Sequence, residues 1–262
     1  GGMARLDGKV AIITGGASGM GAGAAAVMVR EGCRVVLADM NAALLGSVCE
    51  ALGNDRAIAF PCDITDRAQV TALVRTAVEA FGKIDILFNN AGIGGLGTVV
   101  TSSDDDWHRV IDVDLNAAYY VSKAVIPHMI AGGGGAIINN ASVSGMFGDY
   151  GMASYAAAKG GIVNLTRNMA LDFADARIRV NCICPGAIDT PLFQGIKDAD
   201  DLCRGFVNAI PMKRLGMASE IGEVVAFLAS DAASYVTGLI MPVDGGLPCR
   251  TGWPDMRSLM AL

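Results

Sequence analysis

The sequence predicts an α/β protein built on a doubly wound, seven-stranded parallel sheet with helices on both faces. Three observations carry this expectation. Short runs rich in Val and Ile alternate with longer alanine-rich stretches. The runs are almost continuously apolar rather than alternating, as strands covered on both faces are. The first of them passes through a glycine-rich turn directly into a helical stretch. With 52% hydrophobic residues, 18% charged residues and a mean hydropathy of +0.44, the 262-residue chain is expected to bury a large core, part of it between subunits. No proline-rich or polar linker and no repeat period divides it, so residues 1–262 are expected to form one domain.

The elements follow in order. A strand at 9–14, Lys9-Val10-Ala11-Ile12-Ile13-Thr14, enters the turn Gly15-Gly16-Ala17-Ser18-Gly19-Met20-Gly21, and an alanine-rich helix occupies 19–31. Strands at 34–38 and 57–61 enclose a helix at 41–52, and a helix at 66–81 leads to a strand at 84–88. The Asp104-Asp105-Asp106 run suits the positive N-terminal end of a long helix at 104–131. Glycines at 132–135 turn the chain into a strand at 136–140 and are not a second phosphate loop, because a strand follows them rather than a helix. A helix at 152–175, a strand at 179–183, a helix at 218–230 and a last strand at 239–242 complete the pattern. The segment 189–215 is polar and acidic, has no clear strand, and reads as a substrate lid.

Composition excludes several roles. A net charge of −6, a pI near 4.9 and the lack of a Lys/Arg cluster give no footprint for nucleic acid or an anionic membrane. Seven scattered cysteines without zinc-site spacing read as free thiols in a reducing cytoplasm, where the protein is expected to reside. His108 and His128 are the only histidines, and their spacing offers no metal site. Gly1 and Gly2 read as residues added before a Met3 start, and no apolar run there resembles a signal or an anchor.

The turn carries the first chemistry. Glycines at 15, 19 and 21 permit a sharp bend, close approach of a pyrophosphate and tight seating of the helix, whose free N–H groups favour phosphate. Asp39 ends the second strand 18 residues beyond Gly21, where a carboxylate accepts hydrogen bonds from ribose hydroxyls and repels a 2′-phosphate. Neither Ala17 nor Met40 brings a cation, so NAD(H) is expected over NADP(H). Asp39 read in isolation is also an ordinary strand-end turn residue.

Tyr155 and Lys159 stand four apart, on one face of a helix. A cation beside a phenol favours the phenolate and makes proton exchange near neutral pH accessible, although the spacing alone also arises by accident. Together with the glycine turn, Asn89-Asn90-Ala91-Gly92, Ser142 thirteen residues before Tyr155, and Pro185-Gly186, the pair resembles the short-chain dehydrogenase/reductase family from about Gly8 to Gly246.

That resemblance implies a Rossmann domain with strand order 3-2-1-4-5-6-7, commonly a homotetramer or homodimer, with helices 104–131 and 152–175 at one interface and the C-terminal strand region at another. Tyr155 would be the proton donor or acceptor, Ser142 would hold the substrate oxygen, and Lys159 would bind the nicotinamide ribose. Gly15, Ser18, Gly19, Met20, Gly21, Asp39 and Met40 would hold the dinucleotide. Asp63 and Ile64 would meet its adenine, and Asn90, Ala91 and Gly92 would line it. Pro185, Gly186, Ile188 and Thr190 would pack on the nicotinamide. Asp63 also reads as a helix cap, and Pro185-Gly186 as a simple turn.

One position departs from the family pattern. Val113-Asp114-Leu115 stands where the family carries Val-Asn-Leu, so Asp114 replaces an asparagine that helps seat a proton relay. A carboxylate loses the amide donor, and burial would raise its pKa. A slower or pH-shifted relay is expected, and Asn116 does not face the same way. The pocket walls are expected to include Gly94, Gly95, Val143, Met146, Tyr150, the 190–210 region and Trp253, which favours a neutral secondary alcohol or ketone. Lys197, Lys213 and Arg214 leave an anionic substrate open. Two rivals stand beside this reading, a 3-oxoacyl thioester reductase and a catalytically silent cofactor-binding subunit.

Overall fold

The computed structural model describes residues 5–251, 253 and 255–259. Gly1, Gly2 and Met3, with their reading as an added start, lie outside these. Among the described residues the strands are β1 (Val10–Thr14), β2 (Arg34–Asp39), β3 (Ala57–Pro61), β4 (Ile86–Asn89), β5 (Gly135–Asn140), β6 (Ile178–Pro185), β7 (Ile188–Asp189), β8 (Gly216–Met217) and β9 (Ile240–Val243). Seven of them pair in parallel in the order β3-β2-β1-β4-β5-β6-β9, and β7 pairs with β8 in a separate two-stranded ladder. The expected order therefore holds, with β9 as its seventh strand.

Successive side chains of a strand point to opposite faces, and β1 shows the result. Ile13 joins Val35, Phe88, Met28 and Val225 on one side, while Ile12 joins Val36, Leu87, Leu73 and Val121 on the other. Helices α1 (Gly19–Arg30) and α9 (Ala218–Ala229) cover the first face, and α3 (Arg67–Phe81) and α5 (Ala117–Ala131) the second. Both faces are thus dry, which accounts for the unbroken apolar runs. Helix α2 (Ala42–Leu52) is capped by Asn41, whose side chain accepts from the Leu44 N–H, and α3 by Asp66, which accepts from Ala68 and Gln69.

Two regions differ from expectation. The window 104–131 is not one uniform helix. Helix α4 (Asp104–Ile111), opened by Ser103 accepting from the Asp106 N–H, runs into a π turn (Asp112–Asn116) before α5 begins. The segment 189–215 is largely helical, with α7 (Gln194–Lys197) and α8 (Asp200–Ala209), and is bracketed by β7 and β8. Strands of two residues are too short to leave a periodic signal. Helix α6 (Ala153–Phe173) lies beside β6.

Candidate active site

A cleft of about 240 Å³ opens at the C-terminal ends of the strands. It lies where the chain order reverses between β1 and β4, the switch point at which doubly wound sheets bind ligands. The turn after β1 forms one wall. Gly15 and Gly19 adopt φ of 65° and 55°, values that favour glycine. Thr14 Oγ1 accepts from the N–H groups of Asn90 and Ala91 at 3.0 and 3.1 Å, and Asn90 Nδ2 donates to the carbonyls of Thr14 and Gly15 at 3.1 and 3.2 Å. Asn140 Nδ2 in turn donates to Asn90 Oδ1 at 2.9 Å. The ends of β1, β4 and β5 are locked together by this chain of bonds. The Ser18 side chain makes no capping bond, and the first turn of α1 carries no acid, so its N–H groups remain available to an anion.

Asp39 stands at the end of β2. Its Oδ2 accepts from Ala17 N–H at 3.1 Å and its Oδ1 from Asn41 N–H at 2.9 Å, which fixes the carboxylate at the rim of the turn. Asp63 Oδ1 accepts from the backbone and hydroxyl of Thr65 at 2.9 and 2.7 Å. The cap of the following helix is Asp66, so Asp63 is not that cap.

The catalytic candidates gather on the other side of the cleft. One turn of α6 separates Tyr155 from Lys159, whose Nζ lies 5.5 Å from the Tyr155 ring centroid. Lys159 is 4% exposed, donates to Asn140 O at 3.0 Å and sits 3.5 Å from Asp114 Oδ2. Asp114 is buried in the π turn, and its Oδ1 accepts from Ile93 N–H at 2.8 Å. Burial pushes its carboxyl above the usual range, against the pull of Lys159 and the Ile93 N–H. Burial alone would lower Lys159, yet the neighbouring Asp114 and Tyr155 hold it above its ordinary value. Asn116 Nδ2 donates to exposed Asp112 Oδ1 at 2.7 Å and takes no part. Ser142 opens the short 3₁₀ turn Val143–Gly145, and its Oγ accepts from Ser144 N–H at 3.1 Å. Ser144 Oγ donates to Asp149 Oδ2 at 2.8 Å.

Gly15, Ser18, Gly19, Met20, Asp39, Met40, Asp63, Ile64, Asn90, Ala91, Gly92, Asp114, Tyr155, Lys159 and Thr190 all line this one cleft. Gly21, Ser142, Pro185, Gly186 and Ile188 lie outside its lining. Gly21 sits beneath the turn, packed against Gly15 and Asn90. β6 continues through Pro185, with the Gly186 N–H donating to Val243 O at 3.0 Å, and Ile188 is buried in the core. Tyr150 and Trp253 are exposed and not among the lining residues, so the structure does not bring them to the cleft. The sequence expectations leave out Asn140, Val113 and Ile93, which do line it, while Leu192 lines it from the expected 190–210 region. The paired asparagines ending the Ile137-Ile138 strand were the available signal, since polar residues at the C-terminal end of a parallel strand face the ligand crevice. Among the described residues no group of three or more acidic, histidine or cysteine side chains could hold a metal, and no helix is long and apolar enough to cross a membrane.

Comparison with known proteins gives consistent results. A family model described as enoyl-(acyl carrier protein) reductase matches residues 15–248. The meso-2,3-butanediol dehydrogenase of Serratia marcescens is 41% identical over 252 residues, covering 96% of this chain and 99% of that protein. The 3-oxoacyl-[acyl-carrier-protein] reductase FabG of Thermotoga maritima is 39% identical over 245 residues, 93% of this chain and 99% of that one. Among solved structures, levodione reductase superposes with a TM-score of 0.89 at 38% identity, covering 92% of this chain and 98% of the other.

Proposed function

This chain belongs to the short-chain dehydrogenase/reductase family of nicotinamide-dependent oxidoreductases, and we propose that it interconverts a neutral secondary alcohol and the corresponding ketone with NAD(H). One observation carries the reading. Tyr155 and Lys159 line the same cleft as the glycine turn and Asp39, so a proton-exchanging phenol and a dinucleotide cradle share one space.

The residues present fit the cofactor. The uncapped N-terminus of α1 and the positive-φ glycines of the turn suit a pyrophosphate. Gly15, Ser18, Gly19 and Met20 would hold it, Asp39 and Met40 the adenosine ribose, Asp63 and Ile64 the adenine, and Asn90, Ala91, Gly92, Lys159 and Thr190 the remaining length. Gly21 supports the turn from below, and Pro185, Gly186 and Ile188 shape the backbone leading to Thr190. Bound there, the nicotinamide supplies a hydride to carbon or accepts one from it. Asp39 favours NAD(H), because a fixed carboxylate repels a 2′-phosphate and no cation among the described lining residues other than Lys159 offsets it.

Tyr155 Oη gives its proton to the carbonyl oxygen in reduction and takes the hydroxyl proton in oxidation. Ser142, outside the lining but adjoining its Ala141, would hold that oxygen by turning its hydroxyl toward it while a lone pair stays on Ser144 N–H. Lys159 orients the ribose and favours the phenolate. A neutral substrate is supported by the cations near the lid, which are already engaged: Lys197 with Asp189 at 2.7 Å, Arg214 with Glu220 at 2.7 Å, and Lys213 with Asn208 O at 2.6 Å. The butanediol dehydrogenase likeness agrees with it. Residues 189–215 act as the lid, with Pro191 and Leu192 at the cleft. We read residues 1–262 as one domain. Exposed Tyr119 on α5 and Leu171 on α6 support a homotetramer or homodimer, and unpaired cysteines agree with a cytoplasmic setting.

The likeness to FabG favours a second reading, a 3-oxoacyl thioester reductase. An NAD⁺-reduction screen over secondary alcohols, run beside NADPH oxidation with a 3-oxoacyl thioester, separates the two. Turnover with alcohols that Tyr155→Phe abolishes supports the proposal, and preference for the thioester overturns it. NADH binding without any turnover would make the chain a silent cofactor-binding subunit.

A further inference from the structure

Asp114 is a buried carboxylate with no part in the proton transfer proposed for Ser142, Tyr155 and Lys159. Its two oxygens have different surroundings. Oδ1 accepts the Ile93 N–H at 2.8 Å, whereas Oδ2 has no hydrogen-bond partner and faces Lys159 Nζ across 3.5 Å. The two side chains are 0% and 4% exposed, so little water screens their attraction. The pair sits at the edge of the cleft rather than behind it. Gly92 packs directly on it: a Cβ there would lie 3.2 Å from both Asp114 Oδ2 and Lys159 Nζ, so glycine is what lets all three residues meet at the cleft wall. The other charged or titratable groups around the pair are Tyr155 on α6, Cys182 on β6 with Cys184 beside it, and Arg109 on α4.

We propose that Asp114 is a charge-compensating positioning residue: its carboxylate offsets the Lys159 ammonium from inside the fold, so Tyr155 and the cleft meet only part of that positive charge. An asparagine, the residue found at this position in the family pattern, would accept the Ile93 N–H equally well but leave the lysine uncompensated. Its amide would present no negative charge to the phenol either. The carboxylate therefore works against phenolate formation, and alcohol oxidation runs at higher pH in this chain than in an otherwise identical asparagine protein. This inference rests on Tyr155 being the acid–base group.

The test uses the full-length protein without cofactor. The ultraviolet tyrosinate titration of Tyr155, isolated by subtracting Tyr155→Phe, is compared between wild type and Asp114→Asn. A shift of about one pH unit downward is expected on removing a charge at this range. The acid limb of the kcat/KM profile for alcohol oxidation should move with it. Asp114→Ala removes the same charge and serves as the second variant, with melting temperature as the check on folding. Asp112→Asn removes an exposed carboxylate from the same π turn and should leave both curves in place. Curves that stay put or move upward in folded Asp114→Asn and Asp114→Ala overturn the proposal. Failure of the underlying reading looks different: Tyr155→Phe would turn over substrate at the wild-type rate.

Discussion

Replacing Gly21 with Ala tests whether the turn is a rigid cradle. A Cβ there would lie 2.6 Å from Asn90 Nδ2 and 2.8 Å from the Gly15 carbonyl carbon, and closer still to the carbonyl oxygen. Unbonded heavy atoms of this kind settle near 3.5–4.0 Å, so the turn must open by about 1 Å. The obstruction is mainly backbone, and no side-chain rotation relieves it. Opening the turn pulls the Thr14 and Gly15 carbonyls from Asn90 Nδ2, now 3.1 and 3.2 Å away. Two such bonds contribute about 1 kcal/mol each. Overpacking adds about 1–3 kcal/mol, giving a loss of about 3–5 kcal/mol in all. A displacement of about 1 Å in a ligand-positioning element costs on the order of 100-fold in function. Urea unfolding without ligand reads the first effect, and NADH fluorescence titration the second. Gly46→Ala is the control: Gly46 is exposed on α2 with nothing within 4 Å of a Cβ. That change should leave NADH binding intact and add about 0.5–1 kcal/mol of stability. If Gly21→Ala binds NADH within about three-fold of wild type, less than 1 kcal/mol, and unfolds at the same urea concentration, the rigid-cradle reasoning is refuted.

Asp39→Ser removes the carboxylate at the rim of the turn, and the NAD-over-NADP ratio of kcat/KM should fall by about ten-fold or more; an unchanged ratio contradicts the selectivity assigned to Asp39. Thr166→Val strips the acceptor from Asn139 Nδ2, 3.0 Å away and buried. A loss of about 1–3 kcal/mol in urea unfolding is expected, with NADH affinity unchanged, and a neutral result would mean the donor finds another partner. Glu220 is held at about 2 by its hydrogen bonds to Arg214 and to the Met217 N–H. Because the folded value lies below the ordinary 4.5, its stabilising contribution is complete above pH 4.5 and is lost as pH falls toward 2. Glu220→Gln should therefore flatten the fall of melting temperature on the acid side. The effect is small, since the side chain is 39% exposed, and parallel melting curves would remove the pair from the acid response.

The parts of the fold legible in sequence are those set by short-range pattern. Val10-Ala11-Ile12-Ile13 is apolar at every position because both faces of β1 are covered, and the glycines that follow it are required by positive φ and by the close packing of Gly21. Tyr155 and Lys159 were findable because helix geometry alone places them together. What escaped depends on distant partners. The Asn140 amide at a strand end was a hint, but its carbonyl, which receives Lys159, leaves no trace in a residue name. The β7–β8 ladder is two residues long and exists only because the ends of the lid segment meet. Tyr150 stands near Ser142 in sequence, yet the chain carries it out to solvent. The π turn left one hint: Asp112-Val113-Asp114-Leu115-Asn116 alternates polar and apolar residues inside a helical window, a period that no single helix face accommodates.

That turn holds five residues between α4 and α5. One extra residue in an α-helix rotates everything after it by about 100°, and a π turn takes up that residue by widening one turn instead. Val121, Val125 and Met129 keep their places under the sheet, while Asp114, upstream, is aimed at Lys159. The aim of this carboxylate is thus an angular offset written into chain length, separate from the identity of the residue that carries it. Deleting Asn116, whose amide meets only exposed Asp112, would leave Asp114 and Lys159 chemically intact and still swing the carboxylate away from the lysine.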